Sequence, residues 1–94
     1  MNHWIVIFED SPEMLAVREK HFADYVSYLT GHLEIFVDGT SLSPAEREKP
    51  TGGLWIVRAK DRQAIVRLIE GDPMYQSGFR QFEIFATGKD LSVK

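Results

Sequence analysis

The sequence predicts an α+β domain in which two helices cover one face of a four-stranded antiparallel sheet. Three observations carry that reading. Four runs rich in apolar, β-branched and aromatic residues, His3 to Phe8, Leu33 to Val37, Gly52 to Ala59 and Phe79 to Thr87, have the composition of strands. Segments with helix start and stop signals separate the first run from the second and the third from the fourth. A length of 94 residues admits one domain with one modest core, so one architecture accounts for all six elements.

His3 to Phe8 is almost continuously apolar, the pattern of a central strand buried on both faces. Asp10-Ser11-Pro12-Glu13 opens the first helix, with Ser11 as cap acceptor and Pro12 at the first helical position, where its missing N–H costs nothing. Leu15, Phe22, Val26 and Leu29 follow at spacings of seven, four and three, so they are expected to form the core stripe of a helix ending at Gly31. Leu33 to Val37 is the second strand. Asp38-Gly39 and the polar stretch Thr40 to Pro50 are expected to form a surface loop, the best place for a lid.

Gly52 to Ala59 is the third strand, with Leu54-Trp55-Ile56-Val57 at its centre. Asp61 caps a shorter helix that turns Ile65, Leu68 and Ile69 inward and stops at Gly71. Asp72-Pro73 begins a short turn closing at Gly78, and Phe79 to Thr87 alternates Phe82, Ile84 and Ala86 against Gln81, Glu83 and Phe85 as the fourth strand. The order is therefore βαββαβ, which with right-handed crossovers gives the ferredoxin-like arrangement. Its other sheet face is open. Alternation places on it either Trp4, Val6 and Phe8 or Ile5 and Ile7, and either Trp55 and Val57 or Leu54 and Ile56. An apolar surface of that size predicts a face-to-face homodimer, a dimeric α/β barrel-like assembly.

Composition excludes several function classes. The formal net charge is −3 with both signs interspersed, so no broad positive field gathers nucleic acid or an anionic membrane. The absence of cysteine removes disulfides, thiolate nucleophiles and thiolate metal sites, and agrees with a cytoplasmic location. No apolar run approaches the roughly 20 residues of a membrane span. His3, His21 and His32 lack the spacing of a metal-binding pair, so no metal or other cofactor is expected. RNA-recognition domains share the βαββαβ order, but the third strand here lacks their basic opening residue and alternating aromatic pair. Arg58, Lys60, Arg62 and Arg67 form a basic stretch that a solvated helix face explains.

Chemistry is concentrated elsewhere. Helical phase gathers Met14, Arg18, His21 and Tyr25 beside the core stripe, at the border between inside and outside where clefts form. An imidazole there titrates near neutrality and suits general acid or base work. Asp72-Pro73 reads structurally as a cap and first turn residue; functionally, a carboxylate there can hold an imidazole in one tautomer. Spacing alone does not join the two.

Arg-x-x-His on the first helix (Arg18, His21), Gly-Gly-apolar on the third strand (Gly52, Gly53, Leu54, Trp55) and Asp-Pro-Met-Tyr followed by Gly-Phe (Asp72, Pro73, Met74, Tyr75, Gly78, Phe79) together resemble the YCII-related (YciI-like) family. The resemblance spans nearly the whole chain in the right order. It implies a dimeric ferredoxin-like domain with His21 as acid or base, Asp72 as its orienting partner and Arg18 toward an anionic substrate group; Tyr25 and Tyr75 are further residues expected to contact a small-molecule substrate. It also implies proton-transfer chemistry on small organic acids or cyclic compounds, since the family includes a dehydrochlorinase of chlorinated hydroxyquinols and is akin to muconolactone isomerases. The chain departs from the family where Val37-Asp38-Gly39 replaces a frequent Gly-Pro. The competing reading is a module of the same fold that binds a metabolite or a protein without turnover.

Overall fold

A computed structural model describes residues 2–75 and 78–87. The chain runs β1 (Asn2–Asp10), α1 (Met14–Thr30), β2 (Phe36–Leu42), β3 (Gly52–Ala59), α2 (Arg62–Glu70) and β4 (Arg80–Ala86). All strand pairs are antiparallel, in the order β2-β3-β1-β4, which is the ferredoxin-like sheet expected from the sequence. The apolar β1 is internal because both its edges are used: Trp4 stands opposite Val57 on one side and Ala86 on the other.

Alternation then assigns the faces. Val6, Phe8, Phe36, Trp55 and Val57 point to the helices and form one buried cluster with Ile65 and Ile69 of α2. Phe8 and Phe36 each meet the Trp55 ring edge-on, at centroid separations of 4.9 and 4.8 Å. On the uncovered face, the cross-strand pairs Ile5–Ile56 and Ile7–Leu54 lie side by side and half-exposed, with Phe85 opposite Ile5 and 48 % exposed. This resolves the choice the alternation left open.

The second helix is capped as expected: Ala64 N–H donates to Asp61 Oδ1 at 2.8 Å. The first departs from expectation in two ways. Its first residue is Met14; Ser11 Oγ donates to Glu13 Oε2 and makes no side-chain cap. The stripe turned to the sheet is Met14, Arg18, His21, Tyr25 and Tyr28, whereas Phe22 and Val26 are 56 % and 41 % exposed. The reason is hydrogen bonding: Tyr25 Oη accepts from Trp55 Nε1 at 3.1 Å and Tyr28 Oη donates to the Leu68 carbonyl at 2.8 Å. Amphipathic side chains bury their bodies and keep their tips bonded, an option Phe and Val lack.

The second strand is also displaced. Residues 33–35 lie in turns, because the N–H groups of Ile35 and Phe36 both donate to the His32 carbonyl. Pairing with β3 runs from Phe36 to Leu42, with an irregularity between Phe36 and Asp38 that takes Asp38-Gly39 into the strand. The polar loop is correspondingly shorter, residues 43–51.

Candidate functional site

The register of β1 and β4 makes Asp10 and Arg80 direct partners, so both side chains emerge on the helix side at one end of the sheet. They form a two-pronged pair, Arg80 Nε to Asp10 Oδ1 at 2.7 Å and Nη2 to Oδ2 at 3.0 Å. The guanidinium lies 4.4 Å over the Phe8 ring. Arg18 approaches from α1, donating to Asp10 Oδ2 at 3.1 Å, to Ser41 Oγ at 3.1 Å and to the Gly52 carbonyl. Asp72 comes from the turn after α2, with its Oδ2 at 3.8 Å from Arg80 Nη1. Two acids and two bases thus sit almost fully enclosed beneath α1: side-chain exposure is 1 % for Asp10 and Asp72, 2 % for Arg80 and 11 % for Arg18.

This network is not fully satisfied. Asp72 Oδ1 accepts the Met74 N–H at 2.9 Å, but Asp72 Oδ2 and Arg18 Nε are buried with no hydrogen-bond partner. Burial pushes the Asp72 carboxyl above the usual carboxylate range; the Met74 N–H, Arg80 and Arg18 pull it down, and Asp10 pushes it up again. Burial also raises Tyr25, whose phenol senses Asp72, Arg80 and Arg18 as well as the Trp55 N–H. Tyr25 therefore shares the field of the network. A cleft of about 370 Å³ between α1 and β2, lined by Phe22, Tyr25, Val26, Leu29, Gly39 and Ser41, reaches the network at Tyr25 and Ser41. The two apolar side chains missing from the core, Phe22 and Val26, line this opening.

Of the residues singled out from the sequence, Arg18, Tyr25 and Asp72 meet in one electrostatic unit. His21 lies on the same helix face, one turn from Arg18 and one from Tyr25, with its side chain 29 % exposed. Its Nδ1 is 3.7 Å from Asp24 Oδ2, and among the described residues no hydrogen bond or ion pair joins it to Asp72. Tyr75 donates its N–H to the Asp72 carbonyl at 2.9 Å and rests its ring against Phe82. Asp10 and Arg80 were not anticipated. Their signal is a charged residue at the end of one strand and the start of another, each in helix-facing register.

Among the described residues no group of three or more His, Asp or Glu side chains is arranged to hold a metal ion. No helix among them is long and apolar enough to cross a membrane.

Comparison with known proteins gives three findings. The sequence profile of the YCII-related domain matches residues 2–87. No curated protein matches significantly. Among solved structures, the chain is similar to 5-chloro-2-hydroxyhydroquinone dehydrochlorinase from Burkholderia phenoliruptrix AC1100, in complex with 2,5-dihydroxybenzoquinone, with TM-score 0.75 and 21 % identity over 87 % of this chain and 89 % of that one. A MhuD variant with two manganese protoporphyrin IX bound superposes more loosely, with TM-score 0.48 and 14 % identity over 99 % and 100 % of the two chains.

Proposed function

This chain belongs to the YCII-related domain family, and from that premise we propose that it is a cofactor-independent enzyme moving a proton on a small organic acid or cyclic compound. The observation that carries the reading is that Asp72 Oδ2, 3.8 Å from Arg80 Nη1, and Arg18 Nε are both buried without a hydrogen bond, under a helix that also presents His21 and Tyr25. A buried carboxyl group with a raised pKa and an oxygen that makes no hydrogen bond is costly to a small domain and suited to giving or taking a proton. Arg18 Nε offers the matching donor for an anionic substrate oxygen.

Isomerisation and elimination both need a base at one atom and an acid at another. His21 and Asp72 fill these roles with substrate between them, which agrees with their lack of direct contact at rest. Tyr25 and Tyr75 flank the ring of the substrate. The ligand of the dehydrochlorinase, a dihydroxylated quinone, supplies the starting class: hydroxylated six-membered rings carrying an ionisable oxygen. The open sheet face pairs two such domains into a homodimer, covering Ile5, Ile7, Leu54 and Ile56.

The test is conversion of chlorinated and unchlorinated hydroxyquinols, followed by chloride release and by solvent deuterium entering the ring. Parent protein is expected to turn over at least one of them, and His21→Gln and Asp72→Asn each to lose about 10²–10⁴-fold in rate. Equal turnover by parent and both variants overturns the assignment. Tight binding with no conversion by the parent establishes the binding-module reading instead.

A further inference from the structure

At the opposite end of β3 from Gly52, an open groove of about 410 Å³ lies between β3, the segment before β2, and α2. The two sites are well separated: β3 rises ~3.3 Å per residue, so Gly52 and Ala59 are roughly 20 Å apart. The groove floor is Ile35, Ala59, Ala64 and Leu68, and its rim is Arg58, Lys60 and Arg67. Among the described residues no acidic side chain lines it. Two acids adjoin lining residues in sequence: Asp61, whose carboxylate is turned onto the α2 N-terminus through the Ala64 N–H at 2.8 Å, and Glu34, an exposed residue that meets Arg58 through its backbone carbonyl.

The three cations are otherwise uncommitted to acids. Arg58 donates from Nη1 to the Glu34 carbonyl at 3.3 Å, which holds its guanidinium at the rim, and among the described residues none of Arg58, Lys60 and Arg67 makes an ion pair. A chain of net charge −3 has here gathered positive charge around an apolar trough of the size that takes a small ligand. We infer that this groove binds a monoanionic amphiphile, a flat or short apolar body carrying one carboxylate or sulfonate, with the body on Ala64 and Leu68 and the head among Arg58, Lys60 and Arg67. The charge pattern selects against cations, and the floor selects against ligands that are ionic throughout. This site is independent of the one beneath α1, so both can be filled together.

The experiment titrates the full chain with 8-anilinonaphthalene-1-sulfonate and its uncharged analogue N-phenyl-1-naphthylamine, reading fluorescence and amide chemical shifts. The sulfonate is expected to bind more tightly than the neutral analogue, to shift the amides of Ile35, Ala64 and Leu68, and to weaken with added salt. Lys60→Glu with Arg67→Glu is expected to weaken it about tenfold or more while leaving the thermal transition in place. Both sites are exposed, so the pair of changes does not threaten folding. Undiminished binding by that double variant overturns the proposal. So do shifts confined to Ile5, Ile7, Leu54 and Ile56, which would place the probe on the open sheet face.

Discussion

Asp72 holds a carboxyl group that is only 1 % exposed and leaves one oxygen without a hydrogen bond. Its pKa is raised on folding, chiefly by loss of hydration, so the folded state holds the proton to higher pH than the unfolded chain does. The sign follows. Whatever stability this preference contributes is present below the carboxyl's unfolded pKa and lost as pH rises through the higher folded value. At neutral pH the ionised group therefore costs stability. Asp72→Asn keeps the acceptor for the Met74 N–H and removes the charge. It is expected to stabilise the protein at pH 7 by roughly 0.5–2 kcal/mol, an advantage that vanishes in acid. Urea denaturation of both forms across the pH range checks this, and equal midpoints throughout would contradict it. Loss of activity with a gain in stability is the signature of a residue kept for chemistry.

Among the elements, the first residue of β3 has no room for a side chain against β1. A Cβ on Gly52 would lie 2.1 Å from the Phe8 carbonyl oxygen, a backbone atom that cannot turn aside, whereas on Gly53 the nearest atom would be 3.2 Å away. Gly52→Ala is expected to destabilise by about 1–3 kcal/mol and Gly53→Ala by less, as measured by thermal denaturation. The Gly-Gly pair was visible in the sequence as a motif, but its steric reason appears only with β1 beside it. The elements differ in this way throughout. β1, β3 and the Asp61 cap of α2 were legible because local composition and tertiary role agree. The inward face of α1 was not, since Tyr25, Tyr28 and Arg18 owe their burial to partners on β1, β3 and α2 that local periodicity does not contain. The apolar Leu33 to Ile35 reads as strand only until the His32 carbonyl is seen to close a turn there. In the candidate site, Arg18 and Asp72 were found by motif and Tyr25 by helical phase, while Asp10 and Arg80 needed the register that makes them neighbours.

At the scale of the whole molecule, the described residues cover one sheet face with helices and leave the other without any. Ile5, Ile7, Leu54 and Ile56 form a contiguous apolar area, with Phe85 extending it toward β4. A homodimer through this face predicts that the parent sediments at twice its chain mass, and that Ile56→Lys, placed at the centre of the patch, shifts it to one chain mass while preserving helical and strand content. A parent that sediments as one chain at high concentration would rule the pairing out.

Asp10 and Arg80 are neighbours in space and 70 positions apart in sequence. A ribosome delivers β1 long before β4, and in that interval one edge of β1 is unsealed and Asp10 lacks Arg80, the cation that grips both its oxygens. The nascent chain therefore completes its sheet only when its last strand has emerged, and until then β1 is a ready template for mispairing with another copy.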